Sequence, residues 1–162
     1  MGSSRHGRRP DIKPKSRELA KPRRKRVRVV CGIIEREGMF AAARRASHMS
    51  RGGLWEFPGG KMHKGEEAAA AAVRESAEEL GIVVRPLQAE PLVSVEHAYS
   101  HFRITLHAVV CRYVRGPARA IGCQEFKWVT LDNLDRYAFP AANRRIIAAL
   151  RRGQESRPRP EY

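Results

Sequence analysis

Glu75, Glu78 and Glu79 stand at i, i+3 and i+4. On a helix this spacing gathers all three carboxylates on one face. Three like charges so close repel one another, and the turn before them offers only Arg74 and alanines. The cluster is costly unless a cation sits on it. Hard divalent ions such as Mg²⁺ take oxygen ligands of this kind and bridge them to substrate phosphates. Just upstream lie Gly59 and Gly60, whose backbone can approach an ion or a phosphate closely. Lys61 and Lys64 add positive charge beside them. An acidic helix alone reads as a solvated face; the glycine loop in front of it turns the reading toward metal-assisted phosphate chemistry.

The helix that must carry these carboxylates is expected over Glu66–Leu80, with Gly81 as the residue that ends it. Its buried stripe is predicted to be Ala69, Val73, Ser76 and Leu80. Val27–Ile34 is rich in β-branched residues and reads as a buried strand. Glu37-Gly38 turns the chain into a second strand, Met39–Ala43. Residues 45–53 form a polar loop. Leu54–Phe57 is a short apolar segment, stopped by Pro58-Gly59-Gly60. Further strands are expected at Ile82–Val84, Leu92–Glu96, Phe102–Tyr113 and Phe126–Val129. A second amphipathic helix is expected over residues 141–151. Strands with two well-separated helices imply an α+β chain, two helical layers around a mixed sheet.

The 162 residues amount to one ordinary domain. The net charge of +15 suggests phosphate-bearing partners. Residues 1–25 carry ten Lys or Arg against Asp11 and Glu18, with three prolines and few apolar side chains. They are expected to be a disordered basic arm, making at most weak contact with nucleic acid. Residues 26–152 form the folded domain and 153–162 a flexible tail. No stretch is apolar enough to span a bilayer, and no secretory signal is visible. The three cysteines, Cys31, Cys111 and Cys123, lack metal-ligand spacing and read as free thiols, two in strands and one in a loop. A cytoplasmic protein, monomer or homodimer, is the expectation.

Gly60, Glu66, Arg74-Glu75, Glu78-Glu79, Gly81 and Ile82, in this order and spacing, resemble the Nudix box. The resemblance implies a Nudix hydrolase, an α/β/α sandwich that uses Mg²⁺ or Mn²⁺ to cleave a nucleoside triphosphate to a monophosphate and pyrophosphate. It implies Glu75, Glu78, Glu79 and the Gly59 carbonyl as metal ligands. It implies Arg74 and Glu66 as the ion pair that fixes the loop against the helix. A carboxylate of the box, or one from a later loop, would be the base. Ser76 departs from the family's usual aliphatic residue; its hydroxyl can bond a carbonyl one turn back, so looser packing is expected and not lost chemistry.

Beyond the box, Leu54–Lys61 and Phe139-Pro140-Ala141-Ala142-Asn143 resemble the MutT-type subgroup of 8-oxo-dGTP diphosphatases and their CTP-cleaving relatives. This likeness implies substrate binding by Phe57, Gly60, Lys61 and Asn143. The Asn143 amide could accept the N7–H that only the oxidised guanine carries while donating to O6. Packing in the core is the alternative for Phe57, and a helix cap the alternative for Asn143. Glu125 stands near where the subgroup has an additional loop glutamate, though an ordinary solvated carboxylate is an equal reading. Residues 97–106, with Ser100 and His101, resemble a loop in the C-terminal domain of MutY adenine glycosylases, which inspects 8-oxoguanine in DNA. Two rival functions follow: cleavage of CTP, dCTP or an oxidised pyrimidine triphosphate, and non-catalytic recognition of 8-oxoguanine in nucleic acid.

Overall fold

The computed structural model describes residues 23–156, so the basic arm up to residue 22 and the last six residues lie outside the described chain. Eight strands form one mixed sheet: β1 (Lys25–Arg36), β2 (Met39–Arg44), β3 (Trp55–Glu56), β4 (Gly59–Lys61), β5 (Val83–Pro86), β6 (Val93–Ala98), β7 (Phe102–Arg115) and β8 (Glu125–Thr130). The main path runs β3-β2-β1-β7-β5, with β4 on β1, β6 on β7 and β8 on β2. Helix α1 (Ala68–Leu80) and helix α2 (Ala141–Glu155) cover opposite faces, and a 3-10 turn (Leu131–Arg136) leads into α2. This is the α+β sandwich expected from the sequence.

The β-branched run of β1 makes it the centre. It pairs antiparallel with β2 and β4 on one side and parallel with β7 on the other. Its odd residues Cys31 and Ile33 enter the core under α2; its even residues Val30 and Ile34 enter the core under α1. The β1–β2 hairpin turns at Glu37 and Gly38, both with positive φ, the conformation a tight two-residue hairpin needs.

Several boundaries differ from expectation. β1 begins at Lys25, so the end of the basic run is strand and not arm. α1 begins at Ala68, and α2 continues through Gly153 to Glu155, into the stretch expected to be tail. The expected stop at Gly59-Gly60 is itself a strand: Gly59 pairs with Cys31 and Gly60 with Val30. A Cβ on Gly59 would lie 2.0 Å from the Val30 carbonyl oxygen, so only glycine allows this approach.

The buried line of α1 is Ala68, Ala71, Ala72, Glu75, Ser76 and Leu80; the expected Ala69 and Val73 are only half-buried. Ser76 is fully buried and donates to the Ala72 carbonyl at 2.7 Å, the bond expected of it. A Cβ on Gly32 of β1 would meet its Oγ at 3.4 Å. The helix therefore rests on the sheet through a small-on-small contact. Ser76→Leu overfills it and costs about 1–3 kcal/mol, read as a lower denaturation midpoint; an unchanged midpoint would mean that α1 stands further from β1.

Candidate active site

The N-terminal segment of the site is the loop between β4 and α1, held by one guanidinium. Arg74 donates Nε and Nη2 to the two oxygens of Glu66, both at 2.8 Å. The planar fork matches a carboxylate bidentately. Glu66 also accepts the backbone N–H of His63 at 3.0 Å. Arg74 first, then this N–H, hold the Glu66 carboxyl down at about 2. The same guanidinium reaches the Lys61 carbonyl, Glu75 at 2.7 Å and Glu78 at 3.3 Å. One residue thus ties the loop to the helix and to two of its carboxylates.

Of the three clustered glutamates, Glu75 and Glu79 face the glycine strand. Glu75 Oε1 would lie 2.6 Å from a Cβ on Gly60. Glu79 accepts the Gly59 N–H at 3.0 Å. Glu78 is turned outward, and Arg74 is its partner. Burial pushes the Glu79 carboxyl up to about 8, helped by the neighbouring charges of Glu56 and Glu75 and opposed by the Gly59 N–H. Among the described residues no three His, Cys, Asp or Glu side chains stand close enough to hold an ion on their own. The arrangement nevertheless fits a divalent cation. Two inward carboxylates destabilise one another, and Mg²⁺ is commonly held by one or two carboxylates with substrate phosphates completing its shell.

Two residues not singled out in the sequence belong to this neighbourhood. Glu56 of β3 is paired with Arg45 at 3.3 Å. Its carboxyl is raised by burial and lowered by Arg45, and its charge acts on Glu79. The Arg45 Nε is buried without a partner. The two are eleven positions apart on a loop and a two-residue strand, so no periodicity links them; the β2–β3 ladder does. Cys123 lies near the same carboxylates, and burial, then Glu79 and Glu56, raise its thiol to about 11. Cys31 and Cys111 are buried in β1 and β7, and burial raises both, Cys111 to about 12.

The expected base-binding residues meet on the α2 side. Phe57 is buried against Phe139, with ring centroids 5.4 Å apart. Asn143 lies in the first turn of α2, is buried, and accepts the Phe57 N–H through Oδ1 at 3.4 Å. It is not the helix cap; Pro140 holds that position. Its amide N–H groups make no hydrogen bond among the described residues. Lys61 is exposed at the end of β4. Glu125 pairs with Arg44 across the β2–β8 ladder at 3.2 Å and is engaged there, not with the α1 carboxylates. Ser100 and His101 lie exposed at the β6–β7 hairpin tip.

Residues 29–149 match the NUDIX domain. The chain belongs to the Nudix hydrolase family. Among its relatives, the CTP pyrophosphohydrolase of Escherichia coli is 33% identical over 83% of this chain and 98% of its own. The 8-oxo-dGTP diphosphatase of the same organism is 33% identical over 79% of this chain and 98% of its own. The solution structure of the E. coli ORF135 protein superposes with a TM-score of 0.69 at 31% identity, covering 83% of this Nudix hydrolase and 95% of that chain. The MutT protein of Methanosarcina mazei Go1 gives 0.70 at 25% identity, over 82% and 98%. The clustered glutamates, the glycine strand and the Arg74–Glu66 pair of this Nudix hydrolase all lie within the matched residues.

The raised Glu79 carboxyl has a consequence for the metal-free enzyme. A carboxyl whose folded value exceeds its unfolded one favours folding only while protonated. This contribution is intact below about 4.5 and is lost as pH climbs to about 8. In chelator, wild-type melting temperature should fall relative to that of Glu79→Gln across this window, and Mg²⁺ should close the gap. Parallel pH profiles for the two proteins would place the Glu79 carboxyl in water.

Proposed function

We propose that this hydrolase is a Mg²⁺-dependent nucleoside triphosphate pyrophosphohydrolase that clears 8-oxo-dGTP from the nucleotide pool, yielding 8-oxo-dGMP and pyrophosphate. The observation that carries the base is Asn143. Its Oδ1 keeps one lone pair beside the bond from Phe57, and its amide nitrogen keeps two donors. An acceptor and a donor side by side in an apolar setting suit N7–H and O6 of the oxidised guanine. Ordinary guanine has no N7–H and would leave the acceptor unmatched, a penalty that a buried polar site turns into discrimination. The name of the E. coli relative that cleaves 8-oxo-dGTP supports this reading.

In the proposed reaction Glu75 and Glu79 hold the cation, with the Gly59 carbonyl as a further ligand, and Glu78 joins them by rotating off Arg74. The ion supplies charge neutralisation on the phosphates and a more acidic water. Arg74 and Glu66 fix the loop so that Gly60 and Lys61 line the phosphates. Arg45, held by Glu56, adds a positive charge beside Glu79. Three reduced thiols suit a reducing cytoplasm.

A second reading, cleavage of CTP or dCTP, is favoured by the likeness to the CTP pyrophosphohydrolase. Pyrophosphate release from 8-oxo-dGTP, dGTP, CTP and dCTP with Mg²⁺ separates the two. Asn143→Ala should lower kcat/KM for 8-oxo-dGTP by about 10–100-fold, the worth of one or two buried hydrogen bonds, with CTP cleavage little changed. An unaltered preference would remove Asn143 from the base site.

A further inference from the structure

The α1 face of the sheet carries basic residues that the hydrolytic site does not use. Side chains alternate along β1 and β7, so Arg26, Arg28, Arg103, Thr105 and His107 stand on the same face as Val30 and Val109. Arg26 and Arg103 are cross-strand partners, and Arg28 follows opposite Thr105. All three arginines are exposed, and none has an ion-pair partner among the described residues. Glu96 of β6 shares this face beside Thr105 and pairs with none of them. The β4 ladder gives them no cover, since it begins at Val29. Like charges opposite one another across a ladder destabilise it. An anion held between the guanidinium groups would turn that repulsion into attraction.

His107 and Ser94 close the inner end of this row of cations. They are cross-strand partners on β7 and β6, with the Ser94 Oγ 2.7 Å from the His107 Nδ1. Burial, then the Arg28 charge, lowers the His107 imidazole, so the guanidinium and the ring are close enough to act on one another. Whichever group donates in the Ser94–His107 bond, the pair keeps one donor free. It is the Nε2–H when the serine donates and the Ser94 hydroxyl proton when the imidazole does. One cross-strand row runs Gly60, Val30, His107 and Ser94. His107 therefore stands two strand spacings, about 10 Å, from the glycine that faces Glu75. Guanidinium forks beside one neutral donor complement the oxygens of a phosphate. Phe102 and the Tyr99 ring stacked on it project to the other face, so they offer no stacking for a base here.

We propose that Arg26, Arg28 and Arg103, with the Ser94–His107 pair, bind a free phosphate or pyrophosphate group at a site of their own, on the same face as the hydrolytic centre but two strands away from it. The site does not depend on which nucleotide that centre prefers.

The test adds pyrophosphate to the metal-free full chain at an ionic strength held constant with chloride. Without metal, the inward carboxylates of Glu75 and Glu79 repel an anion, so binding is read apart from the hydrolytic centre. The wild-type melting temperature should rise by at least about 3 °C as pyrophosphate passes tenfold its dissociation constant. The His107 ring resonances should shift and saturate over the same range. Arg26→Thr, Arg28→Thr and Arg103→Thr together should melt no lower than the wild type without the anion, because the ladder loses its repulsion and gains good strand formers. This triple variant should not respond to pyrophosphate. Arg28→Thr alone, the milder change, should weaken binding about tenfold, the loss of one charge-assisted contact. Replacing Arg144, Arg145 and Arg152 of α2 by Gln removes the same charge as the triple variant and should leave the wild-type response intact. Equal losses in the two triple variants would reduce the effect to overall charge and overturn the proposal. So would His107 resonances that do not move, or a response to a short DNA duplex with none to pyrophosphate, which would assign the arginines to a polymer.

Discussion

Replacing Glu79 with Gln should lower kcat by about 10³-fold, equivalent to about 4 kcal/mol of lost transition-state stabilisation. The change is nearly isosteric, and the amide oxygen can still accept the Gly59 N–H. What disappears is one of the two inward carboxylates that hold the cation in the proposed reaction. The same substitution removes a buried carboxyl that must take up a proton on folding at neutral pH when no metal is present. The variant should therefore be inactive and, at neutral pH in chelator, at least as stable as the wild type. Site residues commonly trade stability for activity in this way. Pyrophosphate release with Mg²⁺, beside a thermal melt, measures both. Activity within tenfold of wild type would exclude Glu79 as a ligand.

Gly60→Ala should cost at least about 10²-fold in kcat with little loss of fold, since each tenfold is only about 1.4 kcal/mol. The new Cβ would lie 2.6–2.8 Å from both carboxylate oxygens and the carboxyl carbon of Glu75. A free glutamate would swing aside. This one is held by Arg74 at 2.7 Å, and Arg74 is itself held by Glu66. The carboxylate must either break that pair or leave its inward position. Gly153→Ala is the matched control: it is helical, and nothing lies within 4 Å of its added Cβ. It should be stabilising by about 0.5–1 kcal/mol. Wild-type turnover in Gly60→Ala would show that Glu75 works from another position.

The sequence made the strands of the sheet legible because β-branched runs and turn residues mark them directly. It did not reveal β4, because Gly59 and Gly60 have no side chains from which a strand could be read; its pairing depends on the backbone of β1. The α1 stripe was displaced because alanines fill most of the helix, and Ala68 and Ala72 carry the same local signal as Ala69. The three glutamates were expected on one face, and the structure splits them. Helical spacing alone could not divide them into Glu75 and Glu79 inward and Glu78 outward. That division is set by Arg74 and the glycine strand. The Arg45–Glu56 pair was invisible for a related reason, since a loop and a two-residue strand meet only through the ladder with β2.

The parallel pairing of β1 with β7 sets an order of assembly. The glycine strand, Glu66, Arg74 and the carboxylates lie within a short stretch and can meet by local turns and one helix. The sheet beneath them cannot close until Phe102–Arg112 lies beside Lys25–Glu35, with the whole site-bearing segment looped out between. Non-local parallel pairings of this kind form late. During synthesis, then, the glycine strand and the carboxylate helix emerge before β7 and remain loosely arranged; they become rigid only when that later strand docks against β1.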